Sequence, residues 1–296
     1  MPELPDLTVY LEHLEQRVNG QKLTGIRLAS PFVLRSVEPG VDAVCGRSVV
    51  CCRRLAKQLV IELEGEYYIV IHLMISGRLV WQKPGAPVPR RNGLAAFDFT
   101  TGSLIFTEAS KKKRASLRLV RGQDTLATLN PGGLEVLQID LPAFAGRLRD
   151  SNHTLKRALT DQRVFAGIGN AYSDEILLRA GLSPFKLPRD MSEEEIWMLF
   201  DACVSVLTQW TDLLRDKAGG DFPKKVTAFH PEMAVHGKYR EPCPVCGSPV
   251  QRIVYAENES NYCAKCQTGG RLLADRSLSR LLKANWPKRL EDLENL

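Results

Sequence analysis

No run of eighteen or more apolar residues occurs in this 296-residue chain, and its N-terminus has no basic segment leading into an apolar one. Neither a membrane span nor export is therefore expected, and the predicted compartment is the cytoplasm, with nucleoid association if the source is bacterial. Internal repeats and low-complexity segments are also missing, which excludes a solenoid and a chain too biased in composition to fold. Charge of one sign is in only slight excess: 40 Lys and Arg against 34 Asp and Glu leave +6, compatible with a polyanionic partner without being diagnostic of one. Cysteine is too unevenly placed for a disulfide framework. Of eight, Cys45, Cys51, Cys52 and Cys203 lie in apolar stretches and read as buried thiols, while the other four form two close pairs. A reducing compartment and one metal site fit that distribution. What remains, 44% hydrophobic and 25% charged residues, is the make-up of a globular protein of two domains or one large one.

The chain reads in four parts. After Pro2-Glu3-Leu4-Pro5, residues Leu7, Tyr10, Leu11, Leu14 and Val18 recur at helical spacing, with Asp6 as the expected N-cap. From about 22 to 128 come short segments with β-branched residues, namely Ser48 to Cys52, Gln58 to Glu64, Tyr67 to Leu73 and Leu94 to Phe99, separated by Gly and Pro signals; this predicts an antiparallel β domain. Beyond the breaker Asn130-Pro131-Gly132-Gly133 the pattern turns helical to about 218, most clearly over Leu155 to Thr160, Asp174 to Ala180 and Glu193 to Leu214. The last thirty residues predict an amphipathic helix ending near Pro287.

Cys243 and Cys246, sixteen intervening residues, then Cys263 and Cys266 form the two-knuckle spacing of a four-cysteine zinc site. Four sulfur ligands leave no open position, so the ion is structural, and the alternation between the pairs predicts a β-hairpin. Between Lys156 and Pro184, a glycine-bearing turn at Gly167 and Gly169 leads into a helix starting near Asn170. Such a helix end aims backbone N–H groups, and here the Asn170 amide, outward at a phosphate. The plainer alternative is ordinary helix punctuation with Asn170 as an N-cap.

Five motifs occur in register over residues 1 to 267: Pro2-Glu3-Leu4-Pro5, Arg54-Leu-Ala-Lys57, His72-Leu-Met-Ile-Ser-Gly77, Asp161-Gln162 to Gly167-Ile-Gly-Asn170-Ala-Tyr-Ser-Asp-Glu175, and the knuckles ending in Cys266-Gln267. Together they resemble the formamidopyrimidine-DNA glycosylase/endonuclease VIII family. The resemblance implies an α+β fold: an N-terminal helix on an antiparallel β-sandwich over 1–130, a helix-two-turn-helix domain over 135–230, and a zinc-finger hairpin over 238–268, followed by a helical extension over 269–296. It also implies double-stranded DNA with damaged bases or abasic sites as partner, bound in the cleft between the two domains, one zinc ion as cofactor, and a monomer.

The chemistry so implied starts at Pro2. With the initiator Met removed, its secondary amine is partly neutral at cellular pH and attacks the sugar C1′, leaving an iminium that drives β,δ-elimination. Glu3 beside it is the expected acid, or else an acidic residue favoured at a helix start. Lys57 is expected at a phosphate near the lesion and Glu175 near the sugar; their plainer readings are a solvated strand-edge lysine and a surface helix acid. His72, Lys156 and Asn170 are expected to grip backbone phosphates, which positions DNA without reading its sequence.

Three places depart from the family pattern. The methionine that fills the emptied base stack is replaced by Ile75, with Met74 one place earlier, so an apolar wedge of different shape is kept. The Arg-Arg-Phe-Gly turn is absent, and Lys111, Lys112, Lys113 and Arg114 stand in that loop, as a phosphate track or as a solvated charged loop. The hairpin arginine five residues before the third cysteine is Asn258. These departures open a second reading, a damaged-DNA-binding protein of the same fold with little or no catalysis.

Overall fold

The computed structural model describes all residues except 224–225, 227–228, 256–257, 275–279, 282–286 and 294–296, and the side chains of 255 and 258. The chain divides into two compact units, residues 1–131 with 210–228, and residues 132–209 with 229–296. One crossing between them falls between Pro131 and Gly132, within the Asn130–Gly133 breaker, and another inside the helix Glu193–Ala218, between Gln209 and Trp210.

In the first unit, α1 (Leu4–Val18) leads into eight strands: β1 (Leu23–Leu28), β2 (Val49–Leu55), β3 (Gln58–Leu63), β4 (Tyr67–His72), β5 (Gly77–Gln82), β6 (Gly93–Phe99), β7 (Ser103–Glu108) and β8 (Ser116–Arg121). They form two four-stranded antiparallel sheets, ordered β1-β6-β7-β5 and β2-β3-β4-β8. Alternate residues of both sheets, among them Leu59, Ile61, Ile69, Ile71, Leu117, Leu79, Phe97, Leu104 and Phe106, share one core with Leu7, Tyr10 and Leu14 of α1. That is the expected sandwich with an N-terminal helix. The opposite face of β3, β4 and β8 is buried too, because Val60, Val70 and Val120 pack on Leu126 of α2 (Gln123–Ala127).

One expectation is corrected at the start of α1. The helix begins at Leu4 with Glu3 as N-cap; Asp6 sits three residues in, and its carboxylate accepts the Glu3 N–H at 2.9 Å. Pro5 is tolerated there because first-turn N–H groups have no helical acceptor. The shift draws Pro2 and Glu3 onto the helix entrance, where both are buried.

The second unit holds α3 (Leu141–Arg149), α4 (Leu155–Thr160), α5 (Asn170–Arg179), the first part of α6 (Glu193–Ala218), the hairpin β9 (Gln251–Tyr255) and β10 (Asn258–Tyr262), and α7 (Ala264–Thr268). The helix α3 was not singled out, and α5 starts at Asn170, where the glycine-bearing turn predicted it and four residues before the stretch marked by apolar spacing. Gln162 shapes the turn before α5: its Nε2 donates to the carbonyls of Thr160 and Ile168, and its Oε1 accepts the N–H of Gly167 at 2.8 Å, where the chain runs at φ +83°. The predicted C-terminal helix falls mostly outside the described residues. The described parts of that segment, Leu272, Leu273 and Leu290, pack on Ile253 and Tyr262 of the hairpin.

Candidate active site and metal centre

The first unit gathers three of the expected residues around the chain's start. Pro2 and Glu3 lie at the head of α1; Lys57, 7% exposed, occupies the two-residue turn between β2 and β3 together with Ala56 at φ +52°. The amine of Met1 is held below its usual pKa because burial penalises its charged form, with Lys57 and Arg78 adding to the effect and Glu3 and Asp6 opposing it. Two cations and two acids thus surround the amine. The Met1 amine is thereby biased toward its neutral form.

His72 closes β4, opposite Gln58 in the register. Burial first, then the Lys57 and Arg118 charges, push its pKa down to about 4. Its Nδ1 accepts the Met74 N–H at 3.1 Å, which leaves Nε2–H as the donor of a neutral ring. At neutral pH His72 is therefore an uncharged ring with one N–H to donate. The next turn presents Ile75, 56% exposed. It is tight: Gly77 N–H returns to the Leu73 carbonyl at 2.8 Å, and a Cβ on Gly77 would fall 2.2 Å from that oxygen. Lys111, Lys112, Lys113 and Arg114 lie on an exposed loop whose base is fixed by the Glu108 carboxylate, which accepts the N–H groups of Arg114 and Ala115 at 3.1 Å each.

In the second unit the geometry differs from expectation. Lys156 is buried, and its ammonium donates to Asp174 Oδ1 at 2.5 Å and to the Asn170 carbonyl at 2.6 Å. Asn170 opens α5, but the N-cap is Gly169, and the Asn170 amide donates across to the Glu259 carbonyl of β10 at 2.7 Å instead of pointing outward. Glu175 is 6% exposed; its carboxylate accepts the backbone N–H groups of Ala234, Val235 and His236 at 2.8, 3.0 and 2.9 Å. These hydrogen bonds hold the 234–236 segment to α5.

Sequence reasoning missed Asp174, the hub of this unit. Its carboxylate takes Lys156, His236 Nδ1 at 2.8 Å and Ser260 Oγ at 3.1 Å, so one side chain ties α4, α5, the 236 segment and the zinc hairpin together. Burial alone would raise its pKa, but the Lys156 charge and the His236 hydrogen bond outweigh it and hold the carboxyl below the ordinary range. A depressed folded-state pKa contributes stability above the unfolded value that is lost as pH falls through the folded one. Asp174→Ala removes the partner of a buried ammonium and is expected to cost about 3–5 kcal/mol. Chemical denaturation at neutral pH checks this, and the gap between variant and parent should narrow below about pH 4; a loss under about 1 kcal/mol would contradict the hub.

The sulfurs of Cys243, Cys246, Cys263 and Cys266 lie within 4.8 Å of one another, two of the residues buried and two half-buried. A tetrahedral ion at about 2.3 Å from each sulfur needs separations near about 3.8 Å, so the set closes around one metal with little adjustment. Leu178, Val235 and Val250 pack against the cysteines, so an ion held there would have a dry surround.

Residues 1–115 match the model of the formamidopyrimidine-DNA glycosylase N-terminal domain, 133–216 that of the formamidopyrimidine-DNA glycosylase H2TH domain, and 240–269 that of the zinc finger found in FPG and IleRS. The chain belongs to the formamidopyrimidine-DNA glycosylase family. A formamidopyrimidine-DNA glycosylase of Moorella thermoacetica is 32% identical over 262 residues, covering 86% of this chain and 94% of its own. An uncharacterized formamidopyrimidine-DNA glycosylase-like protein of Mycobacterium tuberculosis is 42% identical over 155 residues, 52% of this chain and 94% of its own. Among solved structures, the Lactococcus lactis Fpg bound to abasic-site DNA superposes with a TM-score of 0.78 at 27% identity, over 90% of this chain and 99% of that one.

Within this family pattern the departures keep their places. Ile75 is the exposed apolar residue of its turn, and Asn258 opens β10 opposite Tyr255, its side chain lying outside the described residues. Among the described residues no helix is long and apolar enough to cross a membrane.

Proposed function

We propose that this formamidopyrimidine-DNA glycosylase family member is a bifunctional DNA glycosylase and abasic-site lyase of base excision repair. It acts as a monomer on double-stranded DNA carrying oxidised or otherwise damaged bases. The reading is carried by the surroundings of the chain's start: Pro2 and Glu3 are buried at the head of α1, with Lys57 near enough to act on the amine of Met1. The names of the relatives, and the abasic-site and oxidised-pyrimidine DNA in the Lactococcus complexes, support the substrate class.

Once Met1 is removed, the Pro2 nitrogen attacks C1′ as the bond to the damaged base breaks, and the base leaves with a proton. Glu3 protonates O4′ as the sugar opens, which leaves an iminium between Pro2 and C1′. That cation accepts the electrons freed when a C2′ proton departs, so the 3′ phosphate leaves, and a second elimination releases the 5′ phosphate. Lys57 and the neutral His72 hold flanking phosphates, Ile75 fills the vacated stack, and the Lys111–Arg114 loop tracks the backbone. Asn170 joins them once DNA competes for its amide, while Lys156 and Glu175 serve it from within, by fixing the start of α5 and the 234–236 segment. One zinc ion held by Cys243, Cys246, Cys263 and Cys266 would stiffen the hairpin and take no part in bond breaking.

Asn258 favours the second reading, binding without turnover, because a neutral amide grips phosphate less strongly than a cation does. A panel of duplexes, each with one oxidised purine, oxidised pyrimidine or abasic site, separates the two. Release of free base from at least one lesion is expected; lesion-selective binding with no base released from any of them would sink the enzymatic reading.

A further inference from the structure

One cationic cluster of the zinc-finger region is used by none of the roles above. The backbone of 240–242 runs beside the start of β9: Arg240 N–H donates to the Val250 carbonyl and Val250 N–H to the Glu241 carbonyl, both at 2.9 Å, and Pro242 bridges Pro249. This pairing brings Tyr239 beneath two arginines. The guanidinium of Arg252 lies 4.3 Å from the centre of its ring and that of Arg240 lies 5.3 Å away. Tyr239 itself is 37% exposed.

The charges nearby leave these arginines available. Lys238 and Glu241 neutralise each other at 3.0 Å. Among the described residues the carboxylate partner of Arg252 is Glu259, at 3.8 Å, which is too long for a hydrogen bond, and the Arg252 side chain is 43% exposed. Arg240 has no carboxylate partner among the described residues. Glu259 is also the residue whose carbonyl accepts the Asn170 amide, so Arg252 neighbours the part of β10 that meets the start of α5.

A guanidinium stacked on an aromatic ring keeps its N–H edge free and has already given up much of its rotational freedom, so little more is forfeited when it binds. A phosphodiester oxygen offers it short, charge-assisted hydrogen bonds that the loosely placed Glu259 does not. We propose that Arg252 and Arg240, carried on Tyr239, form a binding site for DNA backbone phosphate on the zinc hairpin. It supplies cationic grip on the hairpin that Asn258 does not. The site rests on the DNA-repair reading above and adds two residues to it.

The test measures the affinity of the full-length, zinc-loaded protein for a duplex with a tetrahydrofuran abasic analogue, at several salt concentrations. Every phosphate that a protein cation no longer neutralises reduces the slope of log affinity against log salt by about 0.9. Arg252→Gln with Arg240→Gln is therefore expected to reduce it by about 1.8 and to weaken binding roughly 10- to 100-fold near 0.1 M salt. Zinc content and melting temperature should stay at parent values, and the lysine pair at both positions should restore most of the slope. An unchanged slope in the glutamine variant, with the parent protein binding the duplex, overturns this site alone. Failure of the parent protein to bind damaged duplex overturns the DNA-repair reading itself.

Discussion

Protein with Met1 removed, mixed with abasic-site duplex and borohydride, is expected to yield a covalent adduct mapping to Pro2; protein retaining Met1 is expected to trap at least on the order of 10³-fold more slowly. The reason is electronic. A proline nitrogen acylated by Met1 is an amide without a nucleophilic lone pair, whereas the free amine is secondary and stands one residue from the Met1 amine, whose protonation burial, Lys57 and Arg78 disfavour. Trapping should decline as falling pH protonates the amine. Pro2→Gly keeps a terminal amine but a primary one at a more mobile start, so it should trap more slowly than the parent. Mass mapping decides the matter: an adduct on a lysine, or equal trapping by the Met1-retaining form, would refute the assignment of Pro2.

The second large effect concerns the metal. Purified protein should contain one zinc per chain, and either Cys263→Ser or strong chelation should unfold the hairpin. Structural zinc sites hold about 10–16 kcal/mol, which matches or exceeds the roughly 5–15 kcal/mol by which a domain is stable. The damage cannot remain local. Cys263 packs with Leu178 of α5 and Val235, while Ser260 of β10 bonds to Asp174 and the Glu259 carbonyl to Asn170. Unfolding of the hairpin strips partners from two buried or half-buried polar groups on α5. Calorimetry is expected to show the transition of the second unit abolished or lowered by more than about 15 °C, with that of the β-sandwich, which has its own core, retained. Affinity for abasic-site duplex should fall at least about 100-fold, since a grip built on α5 would lack its backing. A zinc-free protein with unchanged melting and affinity would contradict this role for the metal.

Much of this was readable from residue order because it depends on local rules. Strands β3 and β4 were placed within a residue because β-branched runs alternate and end at turn residues, and α4 matched its predicted bounds. The metal quartet was readable because two C-x-x-C knuckles constrain one another wherever the chain goes between them. Differences of three and four residues arose at the starts of α1 and, by apolar spacing, α5, where capping competes with that spacing. Asp6 has the chemistry of an N-cap, but Glu3 takes that place and Asp6 answers from the third position.

The direction in which a charged side chain points was not readable. Lys156 was expected at a backbone phosphate and Glu175 near the sugar, and Asp174 was assigned no role, yet all three are buried. By itself the sequence determined the layered α+β fold, the family, the zinc ligands and the set of polar residues available to the site. Only the tertiary structure decided which of them face solvent and which are consumed inside, because burial of a charge depends on partners supplied by distant segments. Asp174 is tolerable in the interior only because Lys156, His236 and Ser260, from three separate parts of the chain, converge on it.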